Sequence, residues 1–369
     1  MNHAQSTGEL LILYCSQLLM PKVAFLLNTL KFLLWIIRHN ELDTINLYNS
    51  ITPYIQIATG GNGNMLNFGY WGHNKKTEHM NPMQAPMQAQ EELSALIGKF
   101  GDFQLSHRII DTGSGFSAPA AQWKSTYDFL DIVCVNINSQ QLSTAAKALV
   151  PPIATTTGFN IINANINNGN ASTADATRQP VTSVMCGNII SLVNATATTL
   201  PFADECVDRV VALESAQHFK PLQHFFKESA RILKPGGLLI IAMPVMIGPT
   251  DGKINWSSFI HQFRKLGILY FSWASEHYTL DSIESSLKSE GIKIEDIQHI
   301  GHYVYEPLAN YYIQNRKLLK KIIKDNLSSY VQVMSFEIVE NIIYRSALKM
   351  KNLSQKAVID YVLIKCEKI

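Results

Sequence analysis

The sequence predicts an α/β fold, a parallel sheet flanked by helices, and three stretches carry that prediction. Residues 200–244, LPFADECVDRVVALESAQHFKPLQHFFKESARILKPGGLLIIAMP, read without gaps as strand, loop, helix, turn and strand. An apolar run at 108–110 enters a glycine turn at Gly113 and Gly115. A second apolar run, 132–138, follows at the spacing of the next strand of such a unit. Strand, crossover helix and strand in this order make a right-handed βαβ unit, so ligands are expected beyond the strands' carboxyl ends.

Taken in order, residues 10–37 form the most hydrophobic segment. Pro21, Lys22 and Lys31 divide it into pieces shorter than the ~20 apolar residues of a spanning helix, and it lacks the plan of a signal peptide. Two readings stay open. One is helices that cover the main domain or a dimer contact. The other is peripheral membrane contact through residues 10–37, with Lys22, Lys31 and Arg38 at headgroup level and Phe25, Phe32, Leu34 and Trp35 in the lipid. Residues 61–100 hold Asn67-Phe68-Gly69-Tyr70-Trp71, whose aromatics read equally as core or as pocket wall. A linker at 74–90 then runs into a helix at 89–100.

Gly113 and Gly115 let the backbone turn sharply and approach a ligand without a Cβ in the way, and Ser117 ahead of Pro119 reads as a helix cap. After the strand at 132–138, residues 151–184 turn to Asn, Ala and Thr, which reads as a surface insertion. A third strand is expected at 189–196. Residues 207–213 run apolar, as a buried parallel strand does. The helix at 221–233 repeats Leu222, Phe225, Phe226, Ala230 and Leu233 at helical spacing and stops at Lys234-Pro235-Gly236-Gly237, ahead of a strand at 238–243. Residues 245–277 show little pattern. Thr279 caps a helix that Gly291 ends, 292–300 alternates as a strand, 303–351 is helical, and 361–368 closes a sheet of seven strands. The basic run at 316–324 reads as a solvated helix face or a contact for acidic headgroups.

A chain of 369 residues, 47% hydrophobic and 16% charged, can bury one large core with extra elements around it. A net charge of +2 gives no field that would draw nucleic acid. Five scattered cysteines without a C-x-x-C pair suggest neither a disulfide framework nor a zinc site, in keeping with a reducing cytoplasm.

Leu200-Pro201-Phe202, Cys206-Val207-Asp208, Glu214-Ser215 with His218, and Arg231 to Gly237 resemble the LPF…D…FD…E…H…E…RVLKPGG run of class I S-adenosylmethionine-dependent methyltransferases. The branch it resembles most methylates small hydrophobic molecules: sterols, tocopherols, glycolipids and polyketides. Asn67 to Trp71 resembles the N-x-G-Y-W motif ahead of that branch's catalytic domain, and 361–368 its closing strand. The resemblance covers about residues 67–368 and implies a Rossmann-like seven-stranded sheet at 101–369. It also implies an N-terminal helical extension at 1–60, a closing segment at 61–100 and acceptor-cap helices at 303–351. The implied cofactor is S-adenosylmethionine. Tyr70 would close over it, Asp111 would face its ammonium, and Gly113 and Gly115 would line its path. Asn136 and Ile137 would hold the ribose, where most relatives carry an acid at 136, and Thr196-Ala197 would stand where an Asp-Ala pair reads adenine.

Gly113, Gly115 and Ala118 also fit the G-x-G-x-x-A of a dinucleotide site. The carboxylate of Asp111 opposes a pyrophosphate there and favours a cationic sulfonium. The function expected is methyl transfer to a small hydrophobic acceptor, O-methylation ahead of C-methylation. His218, beyond the strand at 207–213, is the candidate base, since histidine accepts protons near neutrality; Glu214 is the alternative, above all for an alkene acceptor. Two rivals remain, a nicotinamide-dependent oxidoreductase and a binding protein with a decayed site, the second kept open by Ser117, Asn136 and Thr196.

Overall fold

The computed structural model of the chain describes residues 45–46, 48–49, 64–72, 84–149, 161–163, 190–247, 278–325 and 330–369. The segment 10–37, nearly all of the expected extension 1–60 and most of the insertion 151–184 lie outside them.

Helix α1 (Ala85–Phe100) leads into β1 (Arg108–Thr112), α2 (Ala118–Thr126), β2 (Asp131–Asn136), α3 (Ser139–Leu149), β3 (Ile161–Asn163) and β4 (Ile190–Asn194). There follow β5 (Val207–Leu213), a short 3-10 turn (Ala216–His218), α4 (Leu222–Ile232), β6 (Leu233–Met246), α5 (Leu280–Ser289), β7 (Ile292–His299), α6 (Gly301–Asp325), α7 (Tyr330–Gln355) and β8 (Ile359–Lys368). The strands form one sheet in the order β3-β4-β2-β1-β5-β6-β8-β7. All neighbours run parallel except β8, which is antiparallel to both β6 and β7. The seven expected strands are present, and β3, three residues within the expected insertion, adds an eighth at the edge. Along β2, Ile132 and Cys134 enter the core on one face while Val133 and Val135 enter the core on the other, which is why this strand reads as an unbroken apolar run.

One expectation needs correction. Lys234-Pro235-Gly236-Gly237 is not a turn ahead of a strand but a bulge inside β6. Leu233 already pairs with Val207, Leu238 pairs with Arg209, and Gly236 takes φ 72° to accommodate the extra residues. The helical stretch 303–351 is two helices, α6 and α7, packed on each other between β7 and β8.

The most recognisable motif residues hold this frame together. Asp208 accepts hydrogen bonds from the backbone amides of His107 (2.9 Å) and Arg108 (2.8 Å) and from Lys234 Nζ (2.7 Å), fastening β1, β5 and β6. Arg231 donates to Leu200 O (2.9 Å), Phe202 O (2.7 Å) and Glu228 Oε2 (2.9 Å), while Glu228 accepts from Leu200 N at 2.7 Å. Leu200-Pro201-Phe202 is therefore clamped onto α4.

The basic run of α6 is divided: Lys317 and Lys321 are exposed, while Arg316, Lys320 and Lys324 pair with α7. Arg316 grips Glu340 of α7 through Nε (2.6 Å) and Nη2 (2.8 Å), Tyr312 donates to Glu340 at 3.0 Å, Lys320 reaches Glu337 (2.7 Å) and Glu340 (3.2 Å), and Lys324 meets Glu337. Burial alone would raise the Glu340 carboxyl, but the donors from Arg316, Tyr312 and Lys320 outweigh it and hold the group at about 2, against an ordinary 4.5. A carboxyl depressed by folding stabilises above its unfolded pKa and loses that contribution as pH falls. Glu340→Ala is accordingly expected to cost about 2 kcal/mol at neutral pH, below the range for a fully buried pair because Arg316 keeps some solvent. Urea titrations should show the gap between wild type and variant closing as pH falls from 4.5 toward 2. Among the described residues no helix is long and apolar enough to cross a membrane.

Candidate active site

The carboxyl ends of β4, β2, β1 and β5 open on one cleft with about 1040 Å³ of free space, solvent mouth included. It lies where the strand order reverses around β1, the place at which open parallel sheets bind ligands. Asp111, Gly113, Gly115, Asn136, Ile137, Thr196, Ala197, Glu214 and His218 all line it.

Tyr70, expected at the cofactor, is not among the residues that line this cleft. Its ring packs on Tyr303 of α6 at 5.2 Å, and its amide donates to Ala89 O at 2.7 Å. Trp71 is core, 5% exposed against Tyr311. Tyr303 and Tyr311 both belong to α6, so the aromatic segment is a joint between α1 and the helices of the β7–β8 connection. Leu66 and Asn67, just ahead of those aromatics, are the part that reaches the cleft.

The glycine loop leaves β1 with Gly113 at φ 72° and Gly115 at φ 55°. A Cβ on Gly113 would stand 2.4 Å from Ser215 Cβ, so only glycine lets the loop pass this close to β5. Ser117 occupies the position ahead of α2, but at φ 57° and without the capping hydrogen bond expected of it; its Oγ donates instead to Ser114 Oγ at 3.3 Å. Ser215 Oγ donates to Thr112 O (2.6 Å) and Thr112 Oγ1 to Val211 O (2.7 Å), locking the ends of β1 and β5 side by side.

Asp111 is 2% exposed at the end of β1, and burial lifts its carboxyl to about 7. Asn136, at the end of β2, donates both amide hydrogens inside the protein, to Gly115 O (3.0 Å) and Gln141 Oε1 (2.9 Å), while its Oδ1 accepts from Asn138 N at 3.0 Å. It therefore presents a ligand with one remaining lone pair rather than a whole amide. Thr196 Oγ1 is 2.9 Å from Thr198 Oγ1.

Across from the glycines, Glu214 leaves β5 at φ 52°. The Phe68 amide (2.8 Å) and the Tyr361 hydroxyl (2.9 Å) both donate to its Oε1. Burial raises this carboxyl to about 8, with those two donors pulling the other way. His218 Nε2 lies 3.0 Å from the hydroxyl of Tyr48, which belongs to a helical piece with Asn49, and Asn49 Oδ1 in turn accepts from Asn138 at 2.8 Å. Tyr48, Asn67, Gln141 and Phe219 are cleft residues that sequence reasoning did not single out. Only Asn67 carried a signal, its place in a motif noted for its aromatics.

A cleft with a buried carboxyl, a glycine loop that tolerates no side chain at 113 and an opposing His and Glu suits a cationic cofactor with a reacting group facing β5. It suits a pyrophosphate poorly, because the Asp111 carboxyl lies beside the glycines. These features fit the class I, small-molecule methyltransferases, and the chain is an S-adenosylmethionine-dependent methyltransferase.

The family model described as a methyltransferase domain matches residues 150–241. The chain is 24% identical over 271 residues, 72% of its length and 73% of the relative's, to an erythromycin 3''-O-methyltransferase of Saccharopolyspora erythraea. It is 22% identical to a 27-O-demethylrifamycin SV methyltransferase of Amycolatopsis mediterranei, over 65% of this chain and 71% of that one. In fold it is similar to the cyclase SpnF, with a TM-score of 0.58 and 15% identity over 89% of this chain and 97% of that one. It is also similar to the cyclopropane synthase MmaA2 of Mycobacterium tuberculosis, with a TM-score of 0.56 and 14% identity over 86% and 98%.

Proposed function

We propose that the chain methylates a hydroxyl oxygen of a small, largely apolar acceptor of macrolide, polyketide or lipid character, with His218 receiving the hydroxyl proton. The observation that carries this reading is the 3.0 Å pairing of His218 Nε2 with the Tyr48 hydroxyl at the cleft, since a phenol there marks where an alcohol can stand. The two antibiotic methyltransferases, one named for 3''-O-methylation and the other for a 27-O-demethyl substrate, favour oxygen as well.

S-adenosylmethionine, when bound, supplies an electrophilic methyl group on a sulfonium. In this reading the chain's residues hold and align. Asp111 faces the ammonium, Gly113 and Gly115 let the backbone lie against the ligand, Asn136 and Ile137 border the ribose, and Thr196 and Ala197 border the adenine. Alignment of two reactants is worth up to ~7–11 kcal/mol, and a placed base adds on the order of 10²–10⁴ in rate.

Carbon methylation is the second reading. It is favoured by one observation: Glu214 presents to the cleft a carboxyl raised to about 8, basic enough to take a proton from a cationic intermediate. Incubation with methyl-13C-labelled S-adenosylmethionine and a panel of hydroxylated macrolides and lipids separates the two. The proposal expects the label in the methoxy region of the carbon spectrum, and a label bonded to carbon overturns it.

A further inference from the structure

Two side-chain amides border the cleft with hydrogen-bonding atoms that no described residue satisfies. Asn67 is 6% exposed, and neither its Nδ2 nor its Oδ1 has a partner among the described residues. Gln141 is 7% exposed; its Oε1 accepts from Asn136, and its Nε2 has no partner. A buried polar atom left unpaired destabilises the free protein, so three of them on the wall of one cleft point to a ligand that pairs them.

The two amides are held by different parts of the cleft wall. Asn67 O accepts from Gln90 Nε2 at 2.8 Å, and the amide of the next residue, Phe68, donates to Glu214 at 2.8 Å, which fixes Asn67 near the carboxyl end of β5. Gln141 lies in α3 behind β2, held by Asn136, which itself reaches Gly115 O at 3.0 Å.

We propose that Asn67 reads the α-amino acid end of S-adenosylmethionine and that Gln141 reads its ribose, an inference that rests on the cofactor placement proposed above. The amino acid end carries a donor, the ammonium, beside an acceptor, the carboxylate. One carboxamide offers the matching pair, Oδ1 to the ammonium and Nδ2 to the carboxylate. The ribose offers hydroxyls that both donate and accept. Gln141 Nε2 donates to one hydroxyl oxygen, and the remaining lone pair of Asn136 Oδ1 takes a hydroxyl proton. Two neutral amides, one positioning the other, thus replace the single carboxylate usual at the end of the second strand.

The test is calorimetric titration of the full chain with S-adenosylhomocysteine and with 5'-methylthioadenosine, which keeps the adenosine and lacks the amino acid end. Asn67→Leu is expected to shrink the preference for the first ligand over the second about tenfold while leaving methylthioadenosine within twofold. Gln141→Leu is expected to weaken both ligands about tenfold. Gln141→Glu keeps the bond from Asn136 and offers the ribose an acceptor, so it is expected to hold both within threefold. The ligand-free Asn67→Leu protein is expected to melt no lower than wild type, because the unpaired atoms are gone; a loss of binding that came with unfolding would show here as a lower melting temperature. An unchanged preference in Asn67→Leu, or equal losses of both ligands, overturns the assignment of Asn67, and unchanged binding in Gln141→Leu overturns that of Gln141. Wild-type protein that binds neither ligand overturns the cofactor placement itself, which wild-type binding with unaffected variants would leave standing.

Discussion

Asp111→Ala is expected to weaken S-adenosylhomocysteine binding about a hundredfold or more, the loss typical of removing one partner from a buried charge pair. The carboxyl is 2% exposed, raised to about 7 by burial, and accepts no hydrogen bond from any described residue. A ligand ammonium favours the ionised form and brings that pKa down, so binding expels the proton that Asp111 holds at lower pH. Affinity should therefore rise with pH through 7, by about tenfold between pH 6 and 8. Asp111→Asn, which keeps the shape, should bind weakly and lose the dependence on pH. That control matters because Glu214 and His218 line the same cleft and Cys134 lies near Asp111. In the free protein the sign is opposite: a carboxyl whose pKa folding raises favours the native state below its ordinary value of 3.8, and the contribution is lost as pH climbs through about 7. Gly113→Val should abolish binding by a different route, since its Cβ would meet Ser215 Cβ at 2.4 Å in a left-handed conformation. Isothermal titration at three pH values checks all of these, and full binding by both Asp111→Ala and Gly113→Val would remove the loop from the cofactor site.

His218→Ala is expected to lower turnover of a hydroxyl acceptor by about 10²–10⁴ while leaving cofactor affinity near wild type, because the histidine stands beyond β5 whereas the ribose is proposed at the end of β2. Glu214→Gln should be milder for such an acceptor. Its Oε1 already receives the Phe68 amide and the Tyr361 hydroxyl, and an amide oxygen can keep both bonds. The pH profile separates the two candidates further. If Glu214 is the base, the rate must climb as its carboxyl ionises, through about pH 8. Turnover within threefold of wild type in His218→Ala, with none in Glu214→Gln, would transfer the proton to the glutamate and the chemistry toward carbon.

How much of this was written in the sequence depends on whether a residue's surroundings are local. Asp111, Gly113, Gly115 and Glu214 were legible because a strand end and the turn after it fix their positions together. Tyr70 and Trp71 were ambiguous for the opposite reason. Nothing within reach along the chain says that α6 will offer Tyr303 and Tyr311 as packing partners for the aromatics. Asn67, Gln141 and Tyr48 come to the cleft from three separate segments, so no spacing announces them. The Asn136 side chain was read as a whole amide, whereas Gly115 and Gln141 occupy its donors. The Lys234-Pro235-Gly236-Gly237 run misled because Pro and Gly mark a helix end and a strand bulge alike, and only the pairing of Leu233 with Val207 tells them apart. The motif residues that identified the class, Asp208 and Arg231 among them, proved to be braces of the frame rather than parts of the site.

The claim that this cleft holds S-adenosylmethionine rather than a dinucleotide is tested most directly by thermal unfolding of the full chain with S-adenosylhomocysteine and, separately, with NAD. A ligand present at a hundred times its dissociation constant stabilises the native state by about 2.7 kcal/mol, which raises the melting temperature by several degrees. S-adenosylhomocysteine should produce that rise and NAD should produce none; a rise with NAD and not with S-adenosylhomocysteine would contradict the assignment.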